Sequence, residues 1–296
     1  MDTKLLEYIL AIAQEKNMTK AAQLLYITQP TLSQALSKLE QELGTPLFVR
    51  LRNEMILTSA GQDYVNTARQ ILSMKQQLYQ KIKKDTAALC YSLGICSRWG
   101  IEMISNLLSI YQKRQPPVFF NITDKSPTLL TQQISEGTLD LAVITVADLN
   151  AFPGAELIYQ EEIVLAVPSA WLIQKDTNPA QNAQEILAQF TELPFILSPK
   201  GLSIRTVSDQ FLQENKFHVD SVCEINNMTG AIHLTAREIG FSFIPDSRKE
   251  FHLPVRYFSA DPPLFRYHIL LFRKNCFSDR QKQELAMQMR KAAAML

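Results

Sequence analysis

Residues 28–44 read TQPTLSQALSKLEQELG, with Leu32, Leu36, Leu39 and Leu43 at i, i+4, i+7 and i+11. That spacing sets four leucines on one face of a helix and commits the segment to packing there. Thr28 is a good N-cap, Pro30 sits in the first turn where a missing N–H costs nothing, and Gly44 ends the helix. The other face carries Pro30, Thr31, Ser33, Gln34, Ser37, Lys38 and Gln41. A solvated helix face usually carries Glu and Lys. Gln, Ser and Thr instead donate to and accept from base edges, Lys38 can reach phosphate, and a helix N-terminus favours anions. Weakly chosen surface residues are the ordinary alternative.

The flanking sequence bears on that choice. Leu5, Leu6, Ile9, Leu10 and Ala13 predict an opening helix. Asn17 caps a short second helix carrying Ala21, Ala22, Leu24 and Leu25. Two helices joined by a tight turn read as helix-turn-helix, whose second helix enters the major groove N-terminus first. Residues 46–52 and 55–58 then read as two short strands, a wing placing Arg50 and Arg52 for phosphates. The candidate DNA-binding residues are Gln29, Pro30, Thr31, Ser33, Gln34, Ser37, Lys38, Arg50 and Arg52, with Gln34 the expected base contact.

Five ordered blocks run through this region: Ala21-Ala22-Gln23-Leu24-Leu25, Thr28-Gln29-Pro30-Thr31-Leu32-Ser33, Leu39-Glu40-Gln41-Glu42-Leu43-Gly44, Leu47-Phe48-Val49-Arg50 and Leu57-Thr58-Ser59-Ala60-Gly61. In order and spacing they resemble the N-terminal pattern of the LysR-type transcriptional regulators. Thr28 stands where many members have Ser. Wing residues Leu51-Arg52-Asn53-Glu54 depart from the commoner basic-Gly type.

Between Gly61 and Lys84 there is no further Gly and no Pro. Tyr64, Ala68, Ile71, Lys75, Leu78 and Ile82 form a heptad seam with one polar position, thickened by Val65, Leu72 and Tyr79. One long helix packed on its own domain is the alternative to a helix that pairs two chains. The resemblance implies a dimer-forming linker, and two recognition helices meeting two half-sites. Lys81, Lys83 and Lys84 suit the helix's C-terminal end.

After Thr86 strands alternate with helices. Residues 89–95, 118–122 and 139–145 read as strands, and 102–114 and 129–135 as helices. A second set begins at 163–168, and the chain closes with a strand at 267–272 and a helix over 278–296. This order implies a parallel sheet and an α/β domain. Glu136-Gly137-Thr138-Leu139-Asp140-Leu141-Ala142 and Gly240-Phe241-Ser242-Phe243-Ile244-Pro245 are similar to patterns of the family's effector domain. The fold class expected is therefore α/β: an N-terminal winged helix-turn-helix, a long linker helix and a two-subdomain, periplasmic-binding-protein-like effector domain. The divisions are 1–60 for DNA binding, 61–87 for the linker and 88–296 for the effector domain. Its subdomain I covers 88–161 plus 267–296, and subdomain II 162–266, with crossovers near 161–163 and 265–267. At Arg237-Glu238-Ile239-Gly240 many members have a small-residue, Gly-rich turn, so Glu238 puts the local backbone in question.

The resemblance places an effector in a cleft at strand C-termini and helix N-termini. Ser97, Arg98, Trp99, Lys125, Ser126, Thr145, Ser198, Ser203, Asn227, Met228 and Thr229 are the candidates. Helix N-termini bind anions, and Arg98 or Lys125 can pair a carboxylate, so a small anion is the effector class expected. Each has an ordinary alternative: Ser97, Ser126 and Thr229 as caps, Arg98 and Lys125 as solvated charges, Trp99 as core.

Residues 1–84 hold 11 Lys and Arg against 7 Asp and Glu, and the remainder 19 against 22. A basic first third on an acidic remainder fits a nucleic-acid module joined to another function. No signal-like start, no apolar run near ~20 residues and four scattered cysteines point to a reducing, cytoplasmic setting. No nucleophile elbow, phosphate loop or zinc-protease motif is present, so neither enzyme nor cofactor is expected. His218, His233, His252 and His268 are read as packing or surface residues. Cys96, beside Arg98 and near a helix start, keeps redox sensing open against a small buried residue. A solute-binding protein serving transport and an enzyme with a DNA-binding module are the rival classes. The expectation is a promoter-binding regulator, homodimer or homotetramer, with RNA polymerase a possible partner and no membrane.

Overall fold

The computed structural model describes residues 3–51, 54–83, 89–112, 118–173, 175, 181–274 and 276–296, with the backbone alone at 73, 76, 77, 80–83 and 89. Contacts divide the chain into two units. One comprises Met1–Ile95, Leu107–Ala142 and Phe272–Lys282, the other Cys96–Asn106, Val143–Leu271 and Gln283–Leu296.

The first unit opens with α1 (Thr3–Glu15), α2 (Met18–Leu24) and α3 (Gln29–Leu43). Asn17 Oδ1 accepts the backbone N–H groups of Thr19 and Lys20, both at 3.0 Å, and so starts α2. Thr28 Oγ1 accepts from Thr31 N–H at 3.4 Å, and Gly44 closes α3 at φ +70. Leu32, Leu36 and Leu39 pack with Ile9, Ile12, Ala21 and Leu47. Leu43, the last leucine of the stripe, is exposed.

The wing is β1 (Phe48–Leu51) paired antiparallel with β2 (Glu54–Leu57), Phe48 opposite Leu57 and Leu51 opposite Glu54. Arg52 lies outside the described residues. Glu40 Oε1 accepts from the N–H groups of Leu47 and Phe48 at 2.7 and 3.2 Å, tying α3 to the start of the strand pair. A Cβ on Gly61 would lie 2.0 Å from Leu47 O, so only glycine lets α4 (Ser59–Lys83) start against β1.

The seam of α4 divides. Val65 and Ala68 are buried, Val65 within the N-terminal core. Met74, Leu78 and Tyr79 are 62%, 54% and 55% exposed. Lys75, the polar seam position, donates to Thr3 Oγ1 at 2.9 Å. The side chain of Ile82 and the whole of Lys84 lie outside the described residues. The same unit carries β3 (Leu89–Ile95) parallel to β4 (Val118–Asp124), followed by α6 (Pro127–Ser135); β5 (Leu141–Val146) starts in this unit and continues into the second. Strand order here is β4-β3-β5. Arg69 of α4 forms an ion pair with Glu136, which also accepts from Gln132 Nε2 at 2.7 Å. Gly137 follows at φ +73, where a Cβ would come 2.7 Å from Gln70 Cγ.

The second unit begins with α5 (Arg98–Tyr111), whose C-terminal part belongs to the first. It then carries β6 (Glu156–Pro168), α7 (Ala183–Leu187), β7 (Pro194–Leu197), α8 (Ser203–Glu214), β8 (Asp220–Glu224), α9 (Met228–Ala236), β9 (Phe241–Pro245), β10 (Val255–Phe258), β11 (Leu264–Phe272) and α10 (Asp279–Ala293). Strand order is β5-β11-β6-β9-β7-β8, with β10 also on β6. The sheet is mixed rather than parallel throughout: β6 runs antiparallel to β9, β10 and β11, while β7 is parallel to β8 and β9. The sequence reading started β6 at Ile163 because only its second half is a continuous apolar run. Residues 156–162 mix half-buried, buried and exposed positions and carry three glutamates. Residues 161–163 and 264–266 are directly paired strand segments, Glu161 opposite Arg266 and Ile163 opposite Leu264. Phe195, Phe241, Phe243 and Phe211 fill the core under α8.

A polar node lies buried on that β6–β11 pair. Glu161 Oε2 accepts from Arg266 Nε and from His268 Nε2, both at 2.8 Å, and Glu161 Oε1 accepts from Ser247. Burial alone would push this carboxyl up. The hydrogen bond from His268 and the charge of Arg266 outweigh it and hold the group at about 2. Burial pushes His268 below its ordinary 6.5, so the ring is neutral and donates from Nε2. His268 Nδ1 then accepts from Thr145 Oγ1 at 3.1 Å.

Glu238, whose effect on the local backbone was in question, closes α9. Its N–H donates to Thr235 O at 2.9 Å and the Ile239 N–H to Leu234 O at 3.2 Å, a Schellman ending with Glu238 at φ +62. The turn forms with a glutamate holding the glycine position. Glu238→Gly is expected to raise stability by about 1 kcal/mol in urea unfolding by removing the left-handed strain.

The node has a pH signature. His268 is neutral when folded, so protons are taken up preferentially by the unfolded chain below about 6.5. Glu161 keeps its charge when folded, so its stabilisation is complete above 4.5 and is lost as pH falls toward about 2. Both losses run toward acid. His268→Gln is expected to flatten the upper stage of the decline in thermal midpoint relative to the parent. Glu161→Gln is expected to flatten the lower stage and cost about 3 kcal/mol at neutral pH by leaving Arg266 uncompensated.

Candidate DNA and effector sites

On α3 the residues Gln29, Pro30, Thr31, Gln34, Ser37 and Lys38 are exposed and Ser33 is half-buried. They occupy the face opposite Leu32, Leu36 and Leu39, as the 3.6-residue period requires. Thr28 and Thr31 hydroxyls bond each other at 2.8 Å, which spends part of Thr31's capacity inside the chain. Arg50 is exposed on β1. From Gln29 to Lys38 the face carries one cation, no carboxylate and a capped N-terminus, with Glu42 the exposed acid one turn further on; this arrangement admits a polyanion at the helix start and can hydrogen-bond to base edges.

The effector candidates fall in both units. Lys125 and Ser126 lie in the first. Lys125 is exposed, with its N–H on Ile95 O at 3.0 Å, and Ser126 caps α6 through Leu129 N–H at 3.4 Å. Ser97, Arg98, Trp99, Thr145, Ser198, Ser203, Asn227, Met228 and Thr229 lie in the second.

Ser97 caps α5, its Oγ accepting from Gly100 N–H at 3.1 Å. Arg98 is exposed and donates from Nε to Glu102 Oε1 at 3.0 Å. Glu102 is also gripped by both terminal nitrogens of Arg248, at 3.1 and 2.7 Å, and the Arg248 hydrogen bond draws its carboxyl below the usual range. Trp99 is 3% exposed and stacks on His268 at 3.8 Å and on Tyr159 at 5.6 Å. Thr145 is buried between His268 and Cys96, whose Sγ is 3.9 Å from Thr145 Oγ1. The N-terminal turn of α5 thus rests on His268, and through it on Glu161.

At α8, Arg205 is buried and donates to Ser198 O, to Glu224 at 2.8 Å and to Asp209 at 2.7 Å. It is committed between two carboxylates, and Ser198 serves it through its carbonyl. Ser203 is half-buried at the helix start, where Leu202 supplies no side-chain cap. Asn227 caps α9 through Gly230 N–H at 3.0 Å, Met228 packs on the apolar core and Thr229 is half-buried. Trp99 and Thr145 are drawn together by His268. Ser97, Ser126 and Asn227 serve as caps.

His268, Glu161, Arg266, Tyr159 and Arg248 were not among the sequence candidates. His268, read as a packing or surface residue, is buried against Glu161, Thr145, Trp99 and Tyr159. The signal available was its place in Tyr267-His268-Ile269-Leu270-Leu271, a polar residue inside an apolar strand. Among the described residues no three His, Cys, Asp or Glu gather as a metal site, and no helix is long and apolar enough to cross a membrane.

Residues 3–62 match the family model "Bacterial regulatory helix-turn-helix protein, lysR family" and residues 92–293 match the "LysR substrate binding domain". The chain is similar to the uncharacterized HTH-type transcriptional regulator YcgK of Bacillus subtilis, 28% identical over 290 residues, covering 93% of this chain and 90% of that one. Full-length CbnR, solved in complex with its target DNA, has the same fold. Its TM-score is 0.64 at 20% identity, with 99% of this chain and 100% of that one covered. A full-length OxyR variant from Pseudomonas aeruginosa also shares it, with a TM-score of 0.62 at 22% identity and coverage of 100% and 95%. A helix-turn-helix that fits the lysR-family model over 3–62, followed by a domain that fits the substrate-binding model over 92–293, places the chain in the LysR family: it is a LysR-type DNA-binding transcriptional regulator with an effector-binding domain.

Proposed function

We propose that the chain reads promoter DNA through α3 as a homodimer or homotetramer, and that a small anionic effector modulates that binding. The observation that carries the reading is the face of Gln29, Pro30, Thr31, Ser33, Gln34, Ser37 and Lys38. Gln34 makes the base contact in this reading, Lys38 and Arg50 hold phosphate, and Arg52, outside the described residues, is the further phosphate contact proposed. The divisions proposed are 1–60 for DNA binding, 61–87 for the linker, and subdomains of 88–161 plus 267–296 and 162–266.

The anionic class is supported by exposed Arg98 at the start of α5, by exposed Lys125 ahead of α6 and by the α8 start without a side-chain cap. Ser97, Trp99, Thr145, Ser198, Ser203, Asn227, Met228 and Thr229 of the second unit and Ser126 of the first are the further effector contacts proposed. An effector acts only through differential affinity for two states of the regulator. The protein works in the cytoplasm without a catalytic role, and RNA polymerase is the further partner proposed.

Oligomerisation is supported by Met74, Leu78 and Tyr79, which stand exposed on α4 below the part of the seam already used inside the chain. Leu78→Glu is expected to shift the protein to monomer in analytical ultracentrifugation, with a thermal midpoint within a few degrees of the parent.

An operator can be recovered by selection from random duplexes and read by fluorescence anisotropy. Gln34→Ala is expected to lose about 1–3 kcal/mol of discrimination between operator and shuffled duplex. Arg50→Ala is expected to weaken both alike and to reduce the salt slope by about one. Equal losses on both duplexes for Gln34→Ala would remove Gln34 from base reading.

A further inference from the structure

The turn between α2 and α3 is a Schellman ending. The Ile27 N–H donates to Ala22 O at 3.0 Å and the Tyr26 N–H to Gln23 O at 3.1 Å. This ending requires one left-handed residue, and glycine is usual there. Tyr26 holds the position at φ +56. A bulky side chain in that region is strained. The other non-glycine residues found left-handed, Lys16, Lys216 and Glu238, carry charged side chains that water solvates. Tyr26 alone among them carries a ring.

The ring gains nothing from the fold. Its neighbours Leu25 and Ile27 pack against the N-terminal core, while Tyr26 is 96% exposed. Burial would have stabilised an aromatic side chain in proportion to the apolar area removed from water. Strain and exposure thus fall on one residue with no intramolecular return, two positions before the Thr28 cap.

The N-terminal turn of the second helix of a helix-turn-helix enters the major groove. A side chain just ahead of that turn stands at the groove edge, where phosphate oxygens run. A tyrosine hydroxyl is one of the donors that bond phosphate and fix register. We propose that Tyr26 is a DNA-backbone contact whose hydroxyl donates to a phosphate oxygen flanking the bases read by α3. The proposal rests on the assignment of α3 as the reading helix. The contact is neutral, so it adds affinity without releasing a counterion, unlike Lys38 or Arg50.

The test is anisotropy of the full chain on a selected operator and a shuffled duplex over a salt series, with thermal midpoints measured beside it. Tyr26→Phe removes only the hydroxyl. It is expected to weaken both duplexes by the same factor, roughly 5-fold, with unchanged salt slope and midpoint. Tyr26→Gly is expected to bind at least as weakly as Tyr26→Phe while melting higher, because it loses the strain as well as the contact. Tyr26→Phe binding both duplexes as tightly as the parent would overturn the proposal. A loss confined to the operator would also overturn it, by making the hydroxyl a base reader. A parent that does not discriminate the two duplexes would instead count against α3 as the reading helix, and the phosphate contact would still be judged on the shuffled duplex.

Discussion

One buried carboxylate organises the second unit. Glu161 lies where two long antiparallel strands pair, and an ionised group in that position is tolerable only when its oxygens are filled. Arg266 supplies the opposite charge from the facing strand. His268 and Ser247 supply hydrogen bonds, one from β11 and one from the turn after β9. Satisfying Glu161 fixes the His268 tautomer. The tautomer makes Nδ1 an acceptor, which orients Thr145 on β5. The same ring supports Trp99, and so the first turn of α5. A requirement for neutralisation on one strand thereby becomes a defined geometry for the residues that open a helix.

The N-terminal region is built on a different logic. It holds little buried polarity and depends on caps and close backbone approach: Asn17 and Thr28 at helix starts, Gly61 against Leu47, and Glu40 across the Leu47 and Phe48 N–H groups. These leave the outer face of α3 free of structural duties other than the Thr28–Thr31 contact. A rigid scaffold with an uncommitted polar face is what a base-reading helix needs, since side-chain positions then follow from the backbone.

Much of this was readable from the residues. The three N-terminal helices, their caps and the wing follow from a 3.6-residue apolar period punctuated by Asn17, Thr28, Pro30 and Gly44. The family blocks then carried the assignment across the chain. The first half of β6 was missed because three of its seven residues are glutamates, and β8 because four of its five residues are exposed, so neither shows the apolar run of a buried strand. The node was illegible for a different reason. Glu161, Arg266 and His268 are ordinary residues in sequence, and only cross-strand register brings them together. The same limit applies to the effector candidates. Serines and asparagines ahead of helices look alike whether they cap or bind, and Ser97, Ser126 and Asn227 are occupied as caps.

The junction between the linker helix and the α6–β5 turn bears on how such a chain can diverge. Arg69 and Glu136 are 67 positions apart and share an ion pair, and Gly137 leaves its Cα bare because Gln70 fills the adjoining space. A side chain gained at 137 would push Gln70 aside and would also be strained at φ +73. A charge lost at 69 strands a partly buried acid at 136. The linker helix and this turn therefore constrain one another: a substitution at 69 or 70 is felt at 136 and 137.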